Sequence, residues 1–170
     1  MEKTNDIGKK IPILIELGKL YTQTARYDFA LKYSIEAAQL YEKTGNRIAL
    51  GQTYQQIGEI YEEQRQWEAA LKNYQKALEW DEKTGNYFEM GGTYHQAGRI
   101  YEARDDIASA FSTYNNGLRI SIQAGNQDAA DFNLRSLARI FPKLSPEQIE
   151  TLEKEFGKET VQKLKGSISQ

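Results

Sequence analysis

Tyr54-x-x-Ile57-Gly58-x-x-Tyr61 returns, forty residues on, as Tyr94-x-x-Ala97-Gly98-x-x-Tyr101. Residues three, four and seven apart share one face of an α-helix, so each run is an apolar stripe with a glycine where a neighbouring helix comes close. Weaker copies in the same register read Leu14-x-x-Leu17-Gly18-x-x-Tyr21 and Leu134-x-x-Leu137-Ala138-x-x-Phe141. These runs define helix A of a repeat. Downstream, Ala30, Ser34 and Ala37 match Ala70, Tyr74 and Ala77, then Ala110, Tyr114 and Gly117, and define helix B. Thr44-Gly45-Asn46, Thr84-Gly85-Asn86 and Ala124-Gly125-Asn126 punctuate the series. Glycine suits the left-handed residue that ends a helix, and asparagine suits the N-cap that starts the next.

Such a period predicts antiparallel helix pairs stacked side by side, burying a core that no single pair could bury alone. The expected fold is therefore all-α: a right-handed α-solenoid with three full repeats, over about 6–45, 46–85 and 86–125. A degenerate fourth repeat over 126–142 completes the array, and 143–170 forms a capping helix and tail.

These residues resemble the tetratricopeptide repeat (TPR), whose pattern is a large residue, Leu-Gly, Tyr, then small-aromatic-small on the second helix. The period exceeds the usual roughly 34 residues. Asn46-Arg47-x-Ala49-x-Gly51 is similar to the long-repeat subfamily of kinesin light chains and Pins-type spindle adaptors. Two departures stand out: Glu42, Glu82 and Ile122 replace the proline usual near the end of helix B, and the fourth copy carries Glu150 and Lys154 in place of small residues. The resemblance implies a concave groove lined by helix A that binds a peptide or protein, within a larger adaptor or signalling protein.

Composition narrows the alternatives. Lys plus Arg total 22 against 24 Asp plus Glu, a formal charge of -2, so nothing global draws the chain to nucleic acid or anionic membrane. Absence of cysteine removes disulfides, thiolate metal sites and thiol nucleophiles. Met1-Glu2-Lys3-Thr4 lacks signal-peptide character, and Ile11 to Ile15 is far shorter than the ~20 residues of a membrane span, so a cytoplasmic setting is expected. His95 is the only histidine, and no Gly-x-x-x-x-Gly-Lys phosphate loop is present. Glu62-Glu63 and Asp105-Asp106 read as solvated pairs, Gly91-Gly92 as a close helix approach, and the tyrosines in repeat register as core. No enzyme and no cofactor is expected.

The ends carry their own signals. Glu2-Lys3-Thr4 is level with Glu42-Lys43-Thr44, and Asn5-Asp6 with the Gly45-Asn46 turn, which predicts that the chain starts inside a helix B of a longer array. Pro12 should kink or delay the helix that follows. Ile11, Ile13 and Ile15 suggest either apolar surface for self-association or a neighbouring domain, or an unusually greasy first helix that packs on the second. Phe141-Pro142 should break the fourth helix A, and Ser145-Pro146-Glu147-Gln148 reads as an N-cap, first-turn proline and capping-box partner. Ile149, Leu152 and Phe156 would then cover the last repeat, followed by Gly157, a Val161 to Leu164 segment and a frayed tail from Gly166 to Gln170.

By register, the residues facing the implied groove are Lys19, Gln55, Gln56, Glu59, Glu62, His95, Gln96, Arg99, Glu102, Arg135 and Arg139. Its C-terminal half collects His95, Arg99, Arg135 and Arg139, while Glu59, Glu62 and Glu102 lie in the middle. Arginine forks hold carboxylates in bidentate fashion, so a peptide with an acidic residue or a free C-terminus is expected near Arg99, Arg135 and Arg139. The same arginines could instead pair with Glu59 and Glu102 in a solvated network. A histidine beside them would make anion binding sensitive to mild acidification.

Overall fold

The computed structural model describes the backbone of residues 2–166 and the side chains of residues 7–162 and 164–166. All regular elements among these residues are helical. They are α1 Glu2–Gln23, α2 Tyr27–Thr44, α3 Arg47–Glu63, α4 Trp67–Thr84, α5 Tyr87–Ala103, α6 Ile107–Ala124, α7 Gln127–Ile140, a 3-10 turn Phe141–Lys143, α8 Pro146–Phe156 and α9 Lys158–Gly166. The first compact unit, residues 1–86, holds α1–α4; the second, residues 87–170, holds α5–α9.

Turn chemistry places these boundaries. Gly45, Gly85 and Gly125 sit at φ 72°, 71° and 71°, the left-handed conformation that lets the next amide close on the helix. The Asn46 amide donates to Tyr41 O at 3.1 Å and that of Asn126 to Ser121 O at 2.9 Å. Asn46 and Asn126 then cap the following helix, accepting from Ala49 N at 3.3 Å and Ala129 N at 3.1 Å. Asn86 also turns its amide inward, donating to the buried Asp81 carboxylate at 3.0 Å. The opposite turn, from helix A to helix B, uses the same left-handed conformation without glycine, at Ala25, Arg65 and Asp105 with φ 54°, 56° and 57°. Each is followed by an amide bonded back to the tyrosine that ends the stripe: Arg26 to Tyr21 O, Gln66 to Tyr61 O and Asp106 to Tyr101 O.

Inside each unit the glycine of helix A receives the aromatic ring of helix B. A Cβ at Gly58 would lie 2.6 Å from the Tyr74 ring, and one at Gly98 would meet Tyr114 equally closely. Both tyrosines are fully buried, and each donates its hydroxyl to a glutamate twelve residues upstream: Tyr74 to Glu62 at 2.6 Å, Tyr114 to Glu102 at 2.7 Å. The first repeat lacks both partners. Ser34 replaces the tyrosine, and Thr22 replaces the glutamate and bonds its own Gly18 carbonyl at 2.8 Å.

Two short helices, α8 and α9, form the C-terminal end. Ser145 and Gln148 form a reciprocal capping box at the start of α8, and Phe141-Pro142 ends α7. Leu152, Val161 and Leu164 are buried in one cluster with Tyr114, Leu137 and Ile140, while Ile149 and Phe156 pack at its edge. Gly157 separates α8 from α9. Gly166 still belongs to α9, and residues 167–170 of the expected tail lie outside the described residues.

Three expectations are overturned. The turn at Asn5-Asp6 does not form: α1 runs unbroken through it, because the glycine that makes the other turns is an asparagine here. Pro12 does not delay α1, which already begins at Glu2. Pro12 has no N–H to offer the Gly8 carbonyl, which lies on an exposed stretch. Ile11, Ile13 and Ile15 are not one surface. Ile11 belongs to the core, Ile15 is half-buried and Ile13 alone is fully outward. The outward companion of Ile13 is Leu20, on the stripe two turns further along.

The glycine pair also divides. A Cβ at Gly91 would strike the Ser121 hydroxyl and lie 3.0 Å from Ala129 Cβ, whereas one at Gly92 would meet nothing within 4 Å. Close approach of α6 explains Gly91 and leaves Gly92 unexplained.

Candidate functional site

In the second unit α5 and α7 lie side by side, fastened by the side chain of Asn133. This residue is fully buried on α7 and donates to Gly91 O at 3.0 Å and to Ala129 O at 2.8 Å. Their shared register brings His95, Glu102 and Arg139 of the sequence-derived set into one network, together with Ser136 and Tyr114. His95 Nε2 shares a hydrogen bond with Ser136 Oγ at 3.1 Å. The Arg139 guanidinium grips Glu102 in bidentate fashion, Nε to Oε1 at 2.6 Å and Nη2 to Oε2 at 2.7 Å, and also donates to Ser136 Oγ at 3.2 Å. Glu102 thus joins the exposed Arg139 to the core, since its Oε2 also accepts from buried Tyr114.

These partners fix the charges. The Arg139 hydrogen bonds, reinforced by that of Tyr114, hold the Glu102 carboxyl below its usual range against the opposing effect of burial. Burial followed by the bond to Glu102 raises the Tyr114 phenol, and Glu102 raises the Arg139 guanidinium. Burial first, then the charges of Arg99 and Arg139, push His95 down to about 4. The imidazole is therefore neutral at neutral and mildly acidic pH, which removes the expected sensitivity to modest acidification. Glu89, Glu102, Asp128 and Asp131 share α5 and α7 with Arg99, Arg135 and Arg139, so the two helices carry no excess of positive charge. Arg135 is exposed and makes no hydrogen bond or ion pair to any described residue.

The expectation that arginines pair with Glu102 is thus met by Arg139, while Arg135 keeps a free fork. In the first unit Lys19 pairs with Glu16 of its own helix at 3.2 Å, and Glu62 is occupied by Tyr74. Gln55, Gln56 and Glu59 lie on α3, and Gln96 follows His95 on α5. Gln56 Nε2 and the Ser34 hydroxyl are both buried without a hydrogen-bond partner, close to the surface of Gly18.

Sequence reasoning missed two members of the cluster. Ser136 is level with Gln56 and Gln96, so the register that selected those two would have found it. Phe132 is half exposed and stacks on His95 with centroids 5.5 Å apart and planes at 28°. Its counterpart one repeat earlier is Gly92, which gave no hint of an aromatic at that level.

Repeated helix pairs with an open, charged face on helix A define a helical-repeat scaffold of the all-α solenoid class. The tetratricopeptide repeat family pattern matches residues 11–83 and again 56–123, and the chain belongs to that family. Solved structures carry the same fold. BtubC (BKLC) from P. vanneervenii is 18% identical, with a TM-score of 0.67, over 94% of this chain and 64% of that one. Aspartyl phosphate phosphatase F from Bacillus subtilis is 14% identical, with a TM-score of 0.65, over 92% and 48%. A Podosopora anserina protein described as a kinesin light chain with nearly identical TPR-like repeats is 16% identical, with a TM-score of 0.63, over 93% and 76%. The chain thus spans less than two thirds of the first two. No curated protein matches it at a significant level. Tetratricopeptide repeats are in general scaffolds for protein contact rather than catalysts, and no helix among the described residues is long and apolar enough to cross a membrane.

Proposed function

We propose that this chain is a protein-interaction module that holds a peptide segment against helix A of its repeats, as part of a larger adaptor or signalling protein. The carboxylate of that segment, an acidic side chain or a free C-terminus, binds at Arg135 beside Arg99 and Arg139. The observation that carries this reading is the exposed fork of Arg135, one turn from an Arg139 that is already engaged by Glu102. A guanidinium without an internal partner favours an external carboxylate. The test is capture from native extract by the module and by an Arg99→Glu, Arg135→Glu, Arg139→Glu variant matched for helicity. Recovery of a specific protein by the first and not the second supports the reading; equal recovery sinks it.

A second reading is favoured by α1. Ile13 and Leu20 are 60% and 53% exposed, whereas Thr53 and Ile60, level with them on α3, are 2% and 0% exposed. That stripe is covered on α3 and bare on α1, which suits self-association through the N-terminal helix. A concentration-dependent mass that Ile13→Asp abolishes supports it, and a monomer at every concentration excludes it.

A further inference from the structure

A later helix A hides one face against the helix pair before it. On α7 that face holds Asn133, which donates to Gly91 O on α5 and which a Cβ at Gly117 of α6 would strike. Thr53 and Thr93 stand at the same level and are buried too, so the array keeps small or polar residues where its helices approach closely. On α1 the residue at this level is the exposed Ile13. No turn of the usual kind delivers a helix to it, because α1 runs unbroken through the level at which Gly45-Asn46 and Gly85-Asn86 turn. The last repeat offers no bare counterpart for it, since Leu152, Val161 and Leu164 are buried there against Leu137 and Ile140. What the α1 face does match is itself. Lys9, Ile13, Leu17, Leu20 and Thr24 follow one another along it at steps of four, four, three and four residues, a series that reads almost the same in either direction about a centre between Glu16 and Leu17.

We infer that the protein forms a twofold dimer in which α1 packs antiparallel on α1 of a second copy. This deepens the self-association reading above and rests on it. The arrangement sets Ile13 of each chain against Leu20 of the other, with the two Leu17 side chains at the centre. A hollow of about 540 Å³, with Ile13, Glu16, Leu17 and Leu20 among its walls, gives the opposing side chains a place to enter. The charges agree with the pairing. Glu16, nearest the centre, is matched by Lys19 of its own helix at 3.2 Å, so two copies meet there without net repulsion. Lys10 is held by Glu36 of α2 at 2.6 Å. Lys9 comes level with the C-terminal end of the opposing α1, the negative end of its dipole, where the last turn carries no basic residue. A parallel pairing would instead set like helix ends together. With three apolar side chains from each chain the interface is small, so the dimer is weak and reversible, in the micromolar range.

The test combines sedimentation equilibrium with disulfide trapping, which is clean because the chain contains no cysteine. Lys9→Cys and Thr24→Cys proteins, both altered at exposed positions, are mixed and oxidised. The expected main product joins one of each, since antiparallel helices bring these two positions together and hold each apart from its own copy. In sedimentation the unmodified protein should reach the mass of two chains and no more. Ile13→Asp should weaken the dimer at least about tenfold, the effect of removing one buried aliphatic side chain from each half. Ile122→Asp, at a position 57% exposed on α6, should leave it unchanged. Both substitutions lie outside the core, so the fold survives them. Lys9→Cys or Thr24→Cys proteins that link only to their own kind, a mass that grows beyond two chains, or equal weakening by Ile122→Asp overturns the antiparallel dimer while self-association itself stands. A monomer at every concentration overturns both.

Discussion

Replacing Gly98 with alanine sets two effects against each other. Alanine is worth about 1 kcal/mol over glycine in a helix interior. Against this, the new Cβ would lie 2.6 Å from Tyr114 Cδ1 and 3.0 Å from Cζ, and closer still to Cε1. The ring has little room to yield: Tyr114 is fully buried and its hydroxyl is tied to Glu102 at 2.7 Å, which is in turn gripped by Arg139. Overpacking of this kind costs about 1–3 kcal/mol. A ring that swings aside also forfeits a hydrogen bond to a carboxylate, about 1.5–3 kcal/mol. The net expectation for Gly98→Ala is a loss of about 2 kcal/mol. Gly92→Ala, six residues earlier on the same helix, meets nothing and keeps the gain of about 1 kcal/mol. The two substitutions should therefore differ by about 3 kcal/mol, more than a hundredfold in the folding equilibrium. Urea denaturation followed by far-UV circular dichroism measures both. A Gly98→Ala protein as stable as the original, or the reverse order of the pair, would refute this account of the glycine–tyrosine contact.

The remaining predictions concern the cluster, the turns and the cap. The His95 ring should titrate near 4 by NMR, not near 6.5. Because the folded value is depressed, the unfolded chain takes up the proton first, so stability falls as pH drops from about 6.5 towards about 4. With the ring partly solvated, screening holds this contribution to about 1 kcal/mol, and His95→Gln should remove it; a midpoint above 6 in the folded protein would contradict the assignment. Arg65→Gly relieves a left-handed residue at φ 56°, and should raise stability by about 0.5 kcal/mol after the extra entropy of the unfolded glycine is counted. A loss on denaturant titration would count against strain at that turn. Leu152→Ala empties a fully buried site in the cap and should cost about 2–5 kcal/mol, with early loss of protection in α8 amides by hydrogen exchange. Unchanged exchange would mean that α8 does not close the last repeat.

Much of the fold was legible because it repeats. A stripe such as Leu134-x-x-Leu137-Ala138-x-x-Phe141 is weak alone and clear when aligned with three others. The capping box at Ser145 was equally plain, since local side-chain chemistry decides it. The N-terminus misled for a related reason. Glu2-Lys3-Thr4 copies the end of a helix B, but a turn also needs a residue that tolerates positive φ, and Asn5 stands where glycine does elsewhere. The turns at Ala25, Arg65 and Asp105 were invisible because their conformation is imposed by the helices they join and not by their own preference. In the candidate site, register placed His95, Glu102 and Arg139 on adjoining helices. It could not tell which arginine Glu102 would take, because that depends on side-chain reach across helices. Nor could it foresee the depressed His95, which follows from burial beneath Phe132 and beside two guanidiniums.

Gly45, Gly85 and Gly125 recur at one spacing, each followed by asparagine, so every forty-residue tract carries both its own stop and the next start. A tandem duplication of that length, wherever its breakpoints fall, regenerates an intact junction on both sides, and a deletion of that length does the same. Lineages of such chains can thus grow and shrink in whole-repeat steps without inventing a turn. A single inserted residue within a helix is a different event, because it rotates everything beyond it by about 100° and carries the apolar stripe off its neighbour. Variation in length among descendants of this sequence should accordingly be quantised, with smaller insertions confined to the turns.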